Sequence, residues 1–413
     1  MKKLLIVNTY CNVWSTGRIA AEIGQFAEKQ GWTSFFAYAD KSECKPCGYF
    51  SFCIVSHKLF RFLHFLLSRL FNLKGFGSWI DTVRFIRVIK KIKPDVIHLH
   101  NIHADYINIP LLFKFLERAS IPIVWTLHDC WVVTGGCTHF AYWKCYNWKE
   151  GCNDCPRYRN NDRGGELRGI IKNMRWMQRK KVKMFNVIPN MTFVPVSSWT
   201  NSVIKESALR DIKSGVIPNG VDISTFYPKC DNRIRVRYNL LDKFIILGVA
   251  SSWSEQKGLN DYLKLSEFLP NDCVIILVGL DKLPSNRDNI IVIPRTANLE
   301  ELVELYSASD VVVSMSYQET FGLTIVEGMA CGTPCIVYNN TSLPELIHPG
   351  TGYIVESGNI EQVLDKILII KEKGKKAYSE KCISIVRENY VKEKQYQKYI
   401  DLYQNILSHH DIC

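Results

Sequence analysis

The sequence has no uninterrupted apolar run of the roughly 18 residues needed to cross a bilayer, so no transmembrane helix is expected. Its start, MKKLLIVNTYCNV, lacks the long apolar core and small-residue cleavage site of a secretory leader and reads as a buried strand. No low-complexity tract and no internal repeat is visible, which excludes disordered and solenoid classes. Asp-x-Asp is absent throughout. A diphosphate held by Mg²⁺ or Mn²⁺ calls for such hard oxygen ligands, so diphosphate chemistry here is expected to rely on lysine and backbone amides. Cysteine is not scarce: there are fifteen, and some, such as Cys273 and Cys335, lie singly inside apolar strands. With no export signal, that usage predicts reduced thiols and a cytoplasmic protein.

What is present points to two domains. A chain of 413 residues, 47% of them hydrophobic, exceeds one compact core and suits two of roughly 200 residues each. Net charge is +12, from 52 basic and 40 acidic residues, which favours an anionic partner: a nucleotide, a phospholipid surface or a nucleic acid. No nucleic-acid recognition motif accompanies the charge. Short Val/Ile-rich runs (KLLIVNTY, DVIHLH, IPIVWTLH, TFVPVS) alternate with helical patterns, then restart with FIILGVAS, CVIILVGL, NIIVIP, DVVVSMS and TPCIVY. Continuous apolar strands with helical crossovers predict an α/β protein of two doubly wound, Rossmann-like domains with parallel sheets. In the first helix, Ser15 or Thr16 is a suitable cap and Gly31 a suitable stop. Pro218-Asn219-Gly220 is linker chemistry, and a cleft between the carboxyl edges of two such sheets is the expected ligand site.

The stretch SYQETFGLTIVEGMACGTP sets Glu319 and Glu327 either side of Gly322. The strand before it makes YQETFG a loop and LTIVEGMACG a helix whose first amides, at Gly322, Leu323 and Thr324, favour an anion. Glu327 is placed to accept two hydrogen bonds from a vicinal diol such as a ribose, and Glu319 to reach a second hydroxylated group beyond the phosphates. A nucleotide-sugar has that order of groups.

These residues, Phe321 among them, resemble the Glu-x7-Glu motif of the retaining glycosyltransferases of family 4, which have the two-domain GT-B fold. The resemblance continues in IPNGVD, ASSWSEQKGL, KPDVIHLHNIH and VWTLHDCW, across nearly the whole chain. It implies a retaining, metal-independent transferase of hexosyl type. The donor would be a UDP- or GDP-linked sugar, and the acceptor a saccharide or lipid-linked saccharide in surface polysaccharide synthesis. It implies that Glu327 holds the donor ribose, Glu319 the sugar hydroxyls, Lys257 the diphosphate and His128 the sugar near its reacting carbon. Gly17 would let the first loop's backbone approach the donor. The domains would run 1–215 and 216–391, with a helix over 392–413 crossing back onto the first. One position departs from the pattern: Ser252 stands where the family usually has an arginine, and Arg18 is a candidate replacement. An epimerase or hydrolase of nucleotide-sugars on the same fold is the alternative reading.

Two further segments carry expectations. Cys137, Cys145, Cys152 and Cys155, the last two as Cys-x2-Cys, have spacings compatible with a structural zinc, with free thiols or with disulfides; Cys130 is a fifth candidate. Cys44 and Cys47 read as loop thiols. SHKLFRFLHFLLSRLFNLK has a narrow polar stripe of His57, Arg61, His64, Ser68 and Asn72 against Phe and Leu. It reads either as a helix on the inner, anionic face of a membrane or as one buried on most sides.

Overall fold

A computed structural model describes residues 1–39, 50–54, 58–159, 170–285 and 287–410. Two compact units emerge: residues 1–217 with 396–413, and residues 218–395. Each is a parallel, doubly wound sheet. The first contains β1 (Lys3–Asn8), β2 (Thr33–Ala39), β3 (Phe50–Ile54), β4 (Val96–Leu99), β5 (Ile123–Leu127), β6 (Met191–Pro195) and β7 (Lys213–Ser214), in the order β3-β2-β1-β4-β5-β6-β7. The second contains β8 (Phe244–Val249), β9 (Cys273–Val278), β10 (Ile290–Ile293), β11 (Val311–Ser314), β12 (Cys335–Tyr338) and β13 (Gly352–Val355), ordered β10-β9-β8-β11-β12-β13. Leu4 to Val7 and Ile245 to Leu247 are fully buried, as strands covered on both faces require.

On one face of the first sheet, Phe113, Trp125, Phe185 and Phe193 form the core. On the other, Ile6, Ala20, Ile23 and Phe36 pack with Tyr396, Tyr399, Ile400 and Tyr403 of the last helix, Lys392–His410. Thr126 donates to the Tyr399 hydroxyl at 3.0 Å, and the Tyr396 hydroxyl donates to Glu22 at 2.8 Å. Within the second unit, the start of that helix is tied by Lys392, which pairs with Asp222 at 2.7 Å and donates its backbone N–H to Val221 at 3.1 Å.

Two local readings need correction. The first helix, Trp14–Lys29, begins after Val13, with no side-chain cap; Ser15 and Thr16 fall inside its first turn. A turn closed by the Asn12 N–H on the Gly17 carbonyl (3.2 Å), with Trp14 at φ 56, starts the helix early. Gly31, at φ 81, lies just beyond its end. The helix Lys58–Phe71 is not buried on most sides, and its polar stripe faces inward. His64 is fully buried, held by Ser78 at 2.9 Å and by the Gly75 N–H at 3.0 Å. Ser68 donates to Asp105 at 2.5 Å, and the Asn72 amide donates to the Ile171 carbonyl at 2.9 Å. The apolar side is left outward: Phe62, Leu63, Phe65, Leu70 and Phe71 are all exposed. His57, Cys44, Cys47 and the side chain of Arg61 lie outside the described residues.

Candidate active site

Ligands of an open parallel sheet collect beyond the carboxyl ends of its strands, where the strand order reverses. In the second sheet that reversal falls between β8 and β11. Lys257 follows β8 in a short 3-10 turn, and Glu319 follows β11. Their side chains meet there, Nζ to Oε1 at 2.5 Å, each partly open to solvent. The loops carrying them are fixed to one another: the Tyr317 N–H donates to the Gln256 carbonyl at 2.9 Å. Glu319 is pinned through its backbone, its N–H donating to Thr341 (3.0 Å) and its carbonyl accepting from Ser342 (2.8 Å). Behind it, buried Asp261 accepts from the hydroxyls of Tyr317 and Tyr338, both at 2.8 Å. At Gly258 (φ 76), a Cβ would come within 2.2 Å of the Met315 carbonyl oxygen, so only glycine lets the lysine turn lie against the end of β11.

Gly322 (φ 97) then opens the helix Leu323–Ala330. A Cβ on it would meet Leu343 at 2.8 Å, so this backbone also takes no larger residue without strain. Phe321 is buried, its ring 5.9 Å from that of Tyr390, while Leu323 and Thr324 are half-buried at the helix start. The opening amides of a helix lack partners within it, and its dipole draws negative charge to that end. One turn further, Glu327 is 7% exposed and accepts from the Tyr306 hydroxyl at 2.9 Å. Burial, reinforced by the Glu327 charge, holds Tyr306 protonated as a fixed donor.

In the first sheet the reversal lies between β1 and β4. Gly17, expected in the loop after β1, lies instead inside the first turn of the helix Trp14–Lys29, which starts early; a Cβ there would be 3.1 Å from the Tyr10 carbonyl oxygen. The ends of β4 and β5 carry a histidine cluster. His98 is fully buried between Thr126 (2.7 Å) and the Tyr403 hydroxyl (2.6 Å). His100 Nδ1 lies 2.9 Å from His128 Nε2, so one of these nitrogens donates and the other accepts. Beside them His103 faces Asp129 at 3.2 Å. Burial lowers His98 to about 3 and His128 to about 4, and takes His100 well below its ordinary value. All three are neutral at pH 7.

Elsewhere in the first unit, Cys137, Cys145, Cys152 and Cys155 line one cavity. Among the described residues, no three His, Cys, Asp or Glu side chains already converge closely enough to grip an ion. Ser252 is exposed, and Arg18 is half-buried in the first unit's opening helix. Sequence reasoning missed Tyr306 and Asp261. Asp261 carried a weak signal, one helical turn beyond Lys257; Tyr306 carried none, because its partner Glu327 comes 21 residues later from another helix.

Two family models match the chain: "Glycosyl transferases group 1" over residues 231–404 and "Glycosyltransferase Family 4" over residues 61–225. The chain is a GT-B-fold relative of these glycosyltransferases. It is 23% identical over 406 residues to the putative colanic acid biosynthesis glycosyl transferase WcaC of Escherichia coli (strain K12), covering 94% of this chain and 96% of that protein. It is 26% identical over 223 residues to N-acetyl-alpha-D-glucosaminyl L-malate synthase of Bacillus anthracis, covering 50% and 57%. Among solved structures, the sucrose-phosphate synthase of Thermosynechococcus elongatus superposes with a TM-score of 0.72 at 14% identity, covering 99% of this chain and 100% of that one. Anabaena HepE in complex with UDP-glucose gives a TM-score of 0.67 at 15% identity, covering 98% and 100%. At these identities the solved structures speak for the fold.

Proposed function

We propose that the chain is a retaining, metal-independent glycosyltransferase that moves a hexosyl group from a UDP- or GDP-linked donor to a saccharide or lipid-linked saccharide acceptor in surface polysaccharide biosynthesis. The observation that carries this reading is the meeting of Lys257, Glu319 and the helix opened by Gly322 at the reversal point of the second sheet. A diphosphate there takes Lys257 from Glu319. The exchange is cheap, because a partly exposed ion pair contributes only about 0–1 kcal/mol. Lys257 and the amides of Gly322, Leu323 and Thr324 then carry the charge that grows on the leaving phosphate, the work otherwise done by a cation. Glu319, released, accepts from hydroxyls of the sugar. Glu327, aimed by Tyr306, accepts from the ribose.

His128 contacts the sugar as a neutral imidazole, its tautomer coupled to that of His100 through their shared hydrogen bond. In the retaining step the glycosidic bond to phosphate breaks as the acceptor oxygen attacks from the same face, and the leaving phosphate takes the acceptor's proton. The surface-polysaccharide role is supported by the near full-length match to a protein named for colanic acid biosynthesis. A lipid-linked acceptor is supported by the outward Phe and Leu side chains of the helix Lys58–Phe71, with Arg69 stacked on Phe65 at 4.7 Å, as suits an anionic membrane surface.

The test is a screen of UDP- and GDP-sugars for donor hydrolysis and nucleotide binding. Glu327→Ala should weaken donor binding by about 1.5–3 kcal/mol, the range for hydrogen bonds to a charged group. Glu319→Ala should chiefly lower turnover. Unchanged donor binding and rate in both folded variants would remove the assignment.

A further inference from the structure

The histidines at the ends of β4 and β5 are unequally satisfied. His98 is engaged at both nitrogens. Thr126 gives its one hydroxyl hydrogen to Tyr399 at 3.0 Å, so its oxygen accepts from His98 Nε2, and His98 Nδ1 accepts from the Tyr403 hydroxyl. His100 is engaged at one nitrogen only. Its Nδ1 lies 2.9 Å from His128 Nε2, whereas its Nε2 is buried with no hydrogen-bond partner among the described residues. The backbone holds the residue in place. The His100 N–H donates to the Val7 carbonyl at 2.9 Å, and the His100 carbonyl accepts from the Trp125 indole at 2.9 Å. The His100 and His128 rings are nearly parallel, 16° apart, and the His98 ring lies 4.1 Å from that of His100.

Two arrangements of protons satisfy the contact between His100 and His128, both of them neutral because burial disfavours their charge. In one, His128 Nε2–H donates to His100 Nδ1. The proton of His100 then sits on Nε2, a buried N–H with nothing to receive it. In the other, His100 Nδ1–H donates to His128 Nε2. His100 Nε2 is then a bare lone pair, and His128 carries its proton on Nδ1. The bond between the rings is the same in both, so the buried Nε2 decides. An orphaned buried N–H is the rarer defect in proteins, since its hydrogen concentrates positive charge that only an acceptor relieves. A lone pair still gains from the positively polarised C–H edges of a packed interior. The second arrangement is the cheaper.

Taking His128 as the sugar contact proposed above, we infer that His100 is a positioning residue: it donates from Nδ1 to His128 Nε2 and so fixes the proton of His128 on Nδ1. His128 then offers the sugar a neutral donor, not an acceptor. Glu319, as a carboxylate, can only accept. A sugar hydroxyl both donates and accepts, so a donor imidazole and an acceptor carboxylate meet the two halves of that chemistry. With the tautomer reversed, His128 Nδ1 and Glu319 would both be acceptors, and a hydroxyl lone pair would lose its partner. The role of His100 is exerted through His128 and requires no contact of its own with the substrate.

The full-length chain labelled with ¹⁵N-histidine reports the tautomer directly, because protonated and bare ring nitrogens resonate far apart; the His128 signals are those lost in His128→Gln. At pH 7 without ligand, His128 should show a protonated Nδ1 and a bare Nε2. A proton on Nε2 instead overturns the inference. His100→Asp and His100→Asn place nearly the same atoms where Nδ1 sits, but aspartate can only accept whereas the asparagine amide can donate. His100→Asp should put a proton on His128 Nε2. It should also slow nucleotide release from the UDP- and GDP-sugars of the screen roughly tenfold or more, with affinity for UDP and GDP within about twofold of wild type. His100→Asn should retain the Nδ1 proton and most of the turnover. A merely structural role would lower stability in both variants and leave the tautomer unmoved. A folded His100→Asp with the wild-type His128 tautomer or unchanged turnover overturns the inference, and if that variant does not fold, the wild-type and His100→Asn spectra still decide. Nucleotide release from none of those sugars by the wild type would count against the glycosyltransferase reading, while the ligand-free spectrum decides the tautomer independently.

Discussion

At the scale of single residues, the pairs that matter are made by burial. Glu327 is aimed because Tyr306 cannot ionise beside it, and His98 is locked because both its nitrogens are engaged, by Thr126 and Tyr403. The histidine has a thermodynamic signature. Its native value is lowered to about 3 by burial, against an ordinary 6.5 in the unfolded chain. At pH 7 both states hold it neutral. As pH falls below 6.5 the unfolded chain takes up a proton that the native state refuses until about pH 3, so stability declines on acidification through that window. The slope approaches about 1.4 kcal/mol per pH unit for each such group. Thermal unfolding of the first unit should therefore weaken from pH 7.5 to 5.5, and His98→Gln, which cannot titrate, should flatten that dependence. Identical pH profiles for the two proteins would contradict the account.

At the scale of elements, strands were legible and helix faces were not. An uninterrupted run such as LLIV or VVVS can be satisfied only by burial on both sides, so its place in a parallel sheet follows from composition. The loops after β8 and β11 could be named in advance because parallel order sends them to one edge. The lysine–glutamate contact across 62 residues could be anticipated only in kind. The helix Lys58–Phe71 shows what pattern cannot supply. Its polar stripe implied a wet side and an apolar side, but which is which depends on partners far along the chain: Ser78, Asp105 and Ile171 claim the polar groups. The resulting outward Phe62 and Phe65 lead to a measurement. The chain should co-sediment with vesicles containing anionic phospholipid at low salt and be released as ionic strength rises. Phe62→Ser with Phe65→Ser should lower that binding by roughly tenfold or more while leaving thermal stability nearly unchanged, since both side chains are exposed. Equal binding by the double variant would exclude this face as the contact.

At the scale of the molecule, one helix belongs to both units by residue membership. The chain leaves the second unit at Gln395 and rejoins the first at Tyr396, within a single helix. Apolar spacing in KEKQYQKYIDLYQNIL predicts a helix but not its destination. The destination is set by a row of tyrosines whose hydroxyls find Glu22, Thr126 and His98 while their rings close the sheet face that Ile6 and Phe36 would otherwise expose. Burying Tyr396, Tyr399, Ile400 and Tyr403 contributes about 1.5–3 kcal/mol each before conformational entropy is charged, a sum comparable with the whole stability of a domain. Ending the chain after Gln395 removes all four, so that His98 Nδ1 loses its Tyr403 partner and the Thr126 hydroxyl its Tyr399 acceptor in an opened core. The first unit of such a truncated chain should unfold at a much lower temperature, or fail to fold. The second unit, which loses none of its own residues, should keep its transition and its affinity for the nucleotide of the donor. Calorimetry with limited proteolysis separates the two transitions, and a first unit as stable as in the full chain would show that the tyrosine row closes nothing essential.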